Sequence, residues 1–160
     1  MKMRQIAIDW SLRGAHVEEI EDMLTLFEIE VNAGRMLARD KTNVAAEIGN
    51  WQVIISDDKV VGCVSLVYYN PKLCEIRSLA VDPAFRNIGL GKKLIESIVE
   101  LAKMNGVEEV FTLTRAPGVF EAIGFHQNHI SNFPDKVQHD CKPCPFINCC
   151  DEITLSIEID

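Results

Sequence analysis

Long apolar runs are missing from this chain. No stretch nears the ~20 residues that a bilayer-spanning helix requires. The opening MKMRQIAIDW has no extended apolar segment followed by a small-residue cleavage site, so neither a membrane partner nor a secretory leader is expected. Basic residues are scarce as well, 16 Lys and Arg against 24 Asp and Glu, for a formal charge of −8. That balance excludes broad attraction to nucleic acid or anionic membranes, while leaving room for a local cationic pocket. Repeats, low-complexity tracts and an obvious linker are also lacking. What is left is a cytoplasmic chain of 160 residues, 48% of them apolar, read as one domain over residues 1–160. A domain of that size buries roughly two thirds of its unfolded surface.

The six cysteines do not read as a disulfide framework. Cys63 and Cys74 lie in apolar runs, whereas Cys141, Cys144, Cys149 and Cys150 crowd one Pro/Cys-rich segment, Pro134 to Cys150. With His139 adjacent, its C-x2-C resembles half a zinc site. Adjacent Cys149 and Cys150 would strain a tetrahedral site, and no second C-x2-C exists, so no metal is assigned. The other reading is a long ordered loop of reduced thiols.

The periodicities give an α/β order. A weakly alternating first strand is expected within MRQIAIDW. Val17, Ile20, Met23, Leu24, Phe27 and Val31 then recur at helical spacing. A short helix over NVAAEIG is expected, capped by Thr42 or Asn43 and stopped at Gly49. WQVIIS and VVGCVSLVYY form a hairpin around Asp57-Asp58, and Asn70-Pro71 ends it. LCEIRSLAV, VEEVFTLT and EITLSIEI are further strands. A helix from GKKLIESIVELAKMNG buries Leu90, Leu94, Ile98 and Leu101 and ends at Gly106, and APGVFEAIGF holds a short helix ending at Gly124.

Between strand and helix sits RNIGLG, Arg86 to Gly91. Two glycines there let the backbone approach a ligand and leave N–H groups pointing outward, the arrangement that holds phosphate. Lys92 and Lys93 in the first turn oppose the helix dipole unless an anion sits nearby. A plain strand-to-helix turn is the competing reading.

EIRSLAV, then RNIGLG, which fits R/Q-x-x-G-x-G/A, then FEAIGF, in this order and at these separations, resemble the GNAT superfamily of N-acetyltransferases. FPDKVQHDCKPCPFINCCDE is similar to a stretch of the small amino-acid acetyltransferases related to N-acetylglutamate synthase. The resemblance covers most of the chain. It implies a GNAT fold, a mixed, mostly antiparallel sheet of six to seven strands flanked by about four helices, with acetyl-CoA as co-substrate. It implies that the loop from Arg86 to Lys92 binds the cofactor, the backbone donors of Asn87, Ile88, Gly89, Leu90 and Gly91 holding the pyrophosphate and Arg86 adding charge at the edge. The backbone of Leu79, Ala80 and Val81 would take the pantetheine and acetyl group, and Phe120 would shape the cofactor edge.

Acetyl transfer needs a neutral amine, so a base is required at pH 7. Glu75 occupies the position of the glutamate base in several family members, although pairing with Arg77 or plain surface exposure would also account for it. The family's tyrosine acid is absent: its positions hold Phe120 and Arg115. Ser78, water or unassisted departure of the thiolate replaces it. An amino-acid acceptor calls for cations on its carboxylates, with Arg35, Arg39, Arg77 and Lys136 as candidates. The acceptor is thus read as the amino group of a small amino acid, glutamate or glutamine, as in arginine biosynthesis. Alternatives are a protein N-terminus, lysine, polyamine or drug amine, or a non-catalytic acyl-CoA sensor. A homodimer is left open.

Overall fold

The computed structural model describes residues 9–144 and 151–160. Strand β2 (Trp51–Ser56) turns into β3 (Lys59–Asn70) through Asp57 and Asp58, both left-handed at φ 49° and 61°. Positive φ at both central residues marks a type I′ turn, which matches strand twist and which aspartates tolerate. Strand β1 (Ser11–Gly14) pairs antiparallel with β2, and β4 (Leu73–Val81) antiparallel with β3. Helix α3 (Leu90–Met104) then crosses back, so that β5 (Glu109–Thr114) joins β4 in parallel. With β6 (His126–Gln127) and β7 (Ile153–Glu158), the sheet has seven strands in the order β1-β2-β3-β4-β5-β7-β6. This is the mixed, mostly antiparallel α/β sheet expected.

Alternation along the strands divides the core between two faces. Helix α1 (Ile20–Asn32) and α2 (Lys41–Ala46) pack on Trp51, Val53 and Cys63. On the other face, Leu90, Leu94 and Ile98 of α3 meet Ile54, Val64 and Leu66, joined by Phe120 of α4 (Pro117–Glu121). Gly62 makes the second contact close: a Cβ there would lie 3.0 Å from a Leu94 methyl.

Several elements differ from expectation. The first strand is Ser11–Gly14 rather than within residues 3–10: Asp9 and Trp10 lie outside it, and residues 1–8 are outside the described residues. Its register is fixed by Gln52–Ile55 across the ladder, not by its own weak alternation. Val17 is 59% exposed because a 3-10 turn, Val17–Glu19, precedes α1, and Leu26 and Glu30 join the buried face. Helix α2 is capped two residues ahead of Thr42, by Asp40, whose carboxylate accepts from the Thr42 N–H at 2.7 Å. It stops at Ala46, and Gly49 falls in a separate 3-10 turn. Leu101 is only half-buried. The described part of Pro134–Cys150 is helical, not a loop: α5 (Pro134–Lys136) runs on into a π-helical turn, Val137–Cys141.

Three features shape the site. Two steps on β3, Cys63 to Ser65, face three on β4, Ala80 to Arg77, so β4 carries an extra residue, with Ser78 at φ 57°. Such a bulge re-aims the side chains beside it. The ladder between β4 and β5 stops at Ile76 and Thr112 although both strands continue, leaving the end of β4 open toward β5. Finally, buried Phe133 stacks on Phe111 of β5 at 4.1 Å between centroids, which anchors α5 to the sheet.

Candidate active site

The end of β4 leads straight into the glycine loop. The Asp82 carboxylate accepts from the Ala84 N–H at 2.9 Å and sets a 3-10 turn, Pro83–Phe85. Asn87 at φ 64° and Gly89 at φ 87° then swing the chain into α3. The leading N–H groups of α3 have no intrahelical acceptors by geometry, and the helix dipole makes them attractive to an anion. A Cβ built on Gly89 or Gly91 meets nothing within 4 Å. The glycines therefore keep a space that the fold itself does not fill, which fits a ligand approaching the backbone. Ile88 and Lys92 are exposed beside it. Arg86 is turned back: its Nε donates to the Val81 carbonyl at 3.0 Å and its Nη2 to Glu30 Oε1 at 2.6 Å.

A cleft of about 770 Å³ adjoins the open end of β4. It brings together eight of the expected residues: Arg35, Arg39, Glu75, Arg77, Ser78, Leu79, Phe120 and Lys136. Glu75 is 3% exposed, which excludes a surface strand position. Its Oε1 accepts from the Tyr69 hydroxyl at 2.8 Å and lies 3.1 Å from Lys136 Nζ and 3.9 Å from Arg77 Nε. Asp140 Oδ2 meets the same three groups, Tyr69 at 3.0 Å, Lys136 at 3.1 Å and Arg77 at 3.3 Å. Two carboxylates are thus held by two cations and a phenol, which satisfies charges that would otherwise be costly to bury. Phe120 sits edge-on to Phe125 at 5.4 Å and offers no hydroxyl.

The remaining cations divide. Arg35 already grips Glu30 through two nitrogens, at 2.7 and 3.1 Å. Arg39 lies with its guanidinium carbon 5.5 Å from the centre of the Trp51 ring and bonds Asn43 at 3.2 Å. Among the described residues it alone of the four expected acceptor cations makes no ion pair. Burial, and then the neighbouring charge of Arg77, press its pKa below the ordinary guanidinium value. Both penalties are relieved by an anion beside it.

Tyr69, Asp140, Glu30 and Glu152 belong to this region and were not expected. Glu30 had a signal, an acidic residue in step with the buried Ile20, Met23 and Phe27. Glu152 lines the cleft with its carboxyl raised chiefly by burial, against Arg115. Arg115, unassigned from the sequence, also lines it and pairs with Asp151 at 2.6 Å. Cys141 and Cys144 line the same cleft, whereas Cys149 and Cys150 lie outside the described residues. Among the described residues no three His, Cys, Asp or Glu side chains are grouped to hold a metal.

Residues 17–129 match the acetyltransferase (GNAT) family. The chain belongs to that family. It is 36% identical to an uncharacterized N-acetyltransferase of Chlorobaculum tepidum over 93% of this chain and 96% of the relative. An amino-acid acetyltransferase of Pasteurella multocida is 32% identical over 79% of this chain, which spans 29% of that longer protein. In fold, this GNAT chain is similar to Neisseria gonorrhoeae N-acetylglutamate synthase complexed with coenzyme A and N-acetyl-glutamate. The TM-score is 0.83 at 23% identity, over 96% of this chain and 36% of that one. No described helix of the GNAT chain is long and apolar enough to cross a membrane.

Proposed function

We propose that this protein transfers the acetyl group of acetyl-CoA to the amino group of a small amino acid, with glutamate or glutamine as the favoured acceptors. Acetyl-CoA is the co-substrate and supplies an activated thioester. The α3 N-terminus with its glycine loop would hold the pyrophosphate, and the open edge of Leu79, Ala80 and Val81 would donate to the acetyl carbonyl as its oxygen gains charge. Glu75, which reaches the cleft from β4, would take the proton that the acceptor amine must lose. Phe120 only shapes the cavity, and the bulge turns the Ser78 segment toward it, so proton supply to the departing thiolate falls to Ser78 or to water.

The observation that carries the choice of acceptor is Arg39, a half-buried guanidinium in the cleft without an ion-pair partner among the described residues. The cleft as a whole supports it: five basic and four acidic side chains line it, in a protein whose net charge is −8. A groove for polyamines or lysine would carry the opposite excess. The test is a free-thiol turnover assay across amino acids, polyamines and N-terminal peptides. Turnover confined to carboxylate-bearing amino acids is expected. Polyamine turnover at a similar rate would defeat the acceptor assignment, and acetyl-CoA binding without turnover of any amine would favour a sensor.

A further inference from the structure

The base proposed above is buried, and each turnover leaves a proton on it. With Glu75 3% exposed and the cleft occupied by reactants, that proton needs a second way out. A pair of hydrogen bonds leads away from Glu75. Tyr69 from β3 stands between Glu75 Oε1 at 2.8 Å and Asp140 Oδ2 at 3.0 Å, both ordinary O–H···O separations. Asp140 lines a second cavity of about 450 Å³ together with Tyr69, Asp135 and His139, whereas Glu75 lines only the first.

We infer that Tyr69 is a proton relay that passes the acceptor's proton from Glu75 to Asp140, from which it enters water in the second cavity. The inference rests on the reading of Glu75 as the base. A phenol has one hydrogen, so Tyr69 cannot donate along both contacts at once. While Glu75 is ionised, one contact lacks a proton. Once Glu75 has taken one, both are filled: Glu75 donates to the Tyr69 oxygen and Tyr69 donates to Asp140. In the transfer the Glu75 O–H breaks as the Tyr69 oxygen gains that hydrogen. The original phenolic hydrogen moves to Asp140 Oδ2, and Asp140 then releases a proton to water. No electrons are exchanged, and Tyr69 is neutral before and after.

The surroundings support this path. Burial, then the charge of Glu75, drive the Tyr69 pKa far upward, so a phenolate plays no part. Burial pushes Asp140 upward too, but Lys136, Arg77 and the hydrogen bonds of Lys136 and Tyr69 outweigh it and hold its carboxyl below the usual range. Asp140 therefore sheds the proton it is handed. Lys136 Nζ, 3.1 Å from both carboxylate oxygens, fixes their spacing. The Tyr69 ring is held by Phe111, with centroids 5.6 Å apart.

Tyr69→Phe keeps the ring and deletes the relay. Its kcat should fall about tenfold, less than loss of the base itself costs, with the acceptor KM unchanged, and added imidazole should restore kcat in proportion to its concentration. Infrared difference spectra of the unliganded protein at low pH give an independent reading. The C=O band of protonated Glu75, identified by its loss in Glu75→Gln, should shift in Tyr69→Phe. A parental kcat, a lowered kcat indifferent to imidazole, or an unmoved band would each overturn the relay. If Glu75→Gln also turns over like the parent, the base reading falls with it; if only Tyr69→Phe does, the base stands.

Discussion

Arg86 in the glycine loop donates to Glu30 of helix α1 at 2.6 Å, which ties the loop expected to hold the cofactor to a residue that lines the cleft. Glu30 is 10% exposed and also holds Arg35. Its carboxyl is kept below the usual range mainly by the Arg35 hydrogen bond, against burial, with the charges of Arg35 and Arg86 adding to the effect. A carboxylate whose folded pKa is depressed stabilises the fold above its unfolded pKa, near 4.3, and that stability is lost as pH falls through the lower folded value. The urea midpoint of the parent should therefore fall more between about pH 5 and 3 than that of Glu30→Gln. Parallel curves would show that Glu30 is not linked to acid unfolding.

Gly91→Val separates the ligand's space from the fold's. A Cβ added at Gly91 meets nothing within 4 Å, and valine in a first helical turn costs only a few tenths of a kcal/mol beyond a good helix former. The melting temperature without ligand should barely move. Coenzyme A at 100 times its parental Kd stabilises the parent by about 2.7 kcal/mol, and this gain should vanish in the variant. Retained stabilisation would place the pyrophosphate elsewhere.

Glu75→Gln keeps the shape of the side chain and its contact with Tyr69 while removing the base. Turnover should fall by about 10²-fold or more, with acetyl-CoA affinity held. Isothermal titration beside steady-state kinetics checks both halves. Parental turnover at pH 7 would assign deprotonation to water.

Arg39→Ala should raise the acceptor KM and leave acetyl-CoA binding alone. Lys at this position should recover only part of the loss, lacking the fork that grips a carboxylate. The parent should correspondingly reject the decarboxylated analogue of its best amino acid, since the analogue leaves a half-buried cation unpaired. Unchanged acceptor kinetics in Arg39→Ala would shift carboxylate recognition to Arg77 and Lys136.

The hairpin, β4, the glycine loop and α3 could be read from the sequence because each announces itself locally. The turn sits between two β-branched runs, the loop carries two glycines, and the apolar residues of α3 keep helical period. Glu75 and the cations could be nominated by type, but not their arrangement. Tyr69 and Asp140 stand 71 residues apart in the chain, and the π-helical turn that presents Asp140 has no period to betray it. The β4 bulge is equally silent, because it puts a serine where positive φ would favour glycine. Strand β6, two residues long, is too short to alternate.

Phe133 fastens α5 to the sheet immediately before residues that line the cleft on its expected acceptor side. Phe120 apart, the expected cofactor contacts fall between Leu79 and Lys92, whereas Lys136, Asp140 and Cys141 hang from a peg driven into Phe111. The short stretch from Lys136 to Cys141 can therefore be exchanged without touching the run expected to hold acetyl-CoA, whereas Ile153 to Glu158, further along, is bound into the sheet between β5 and β6.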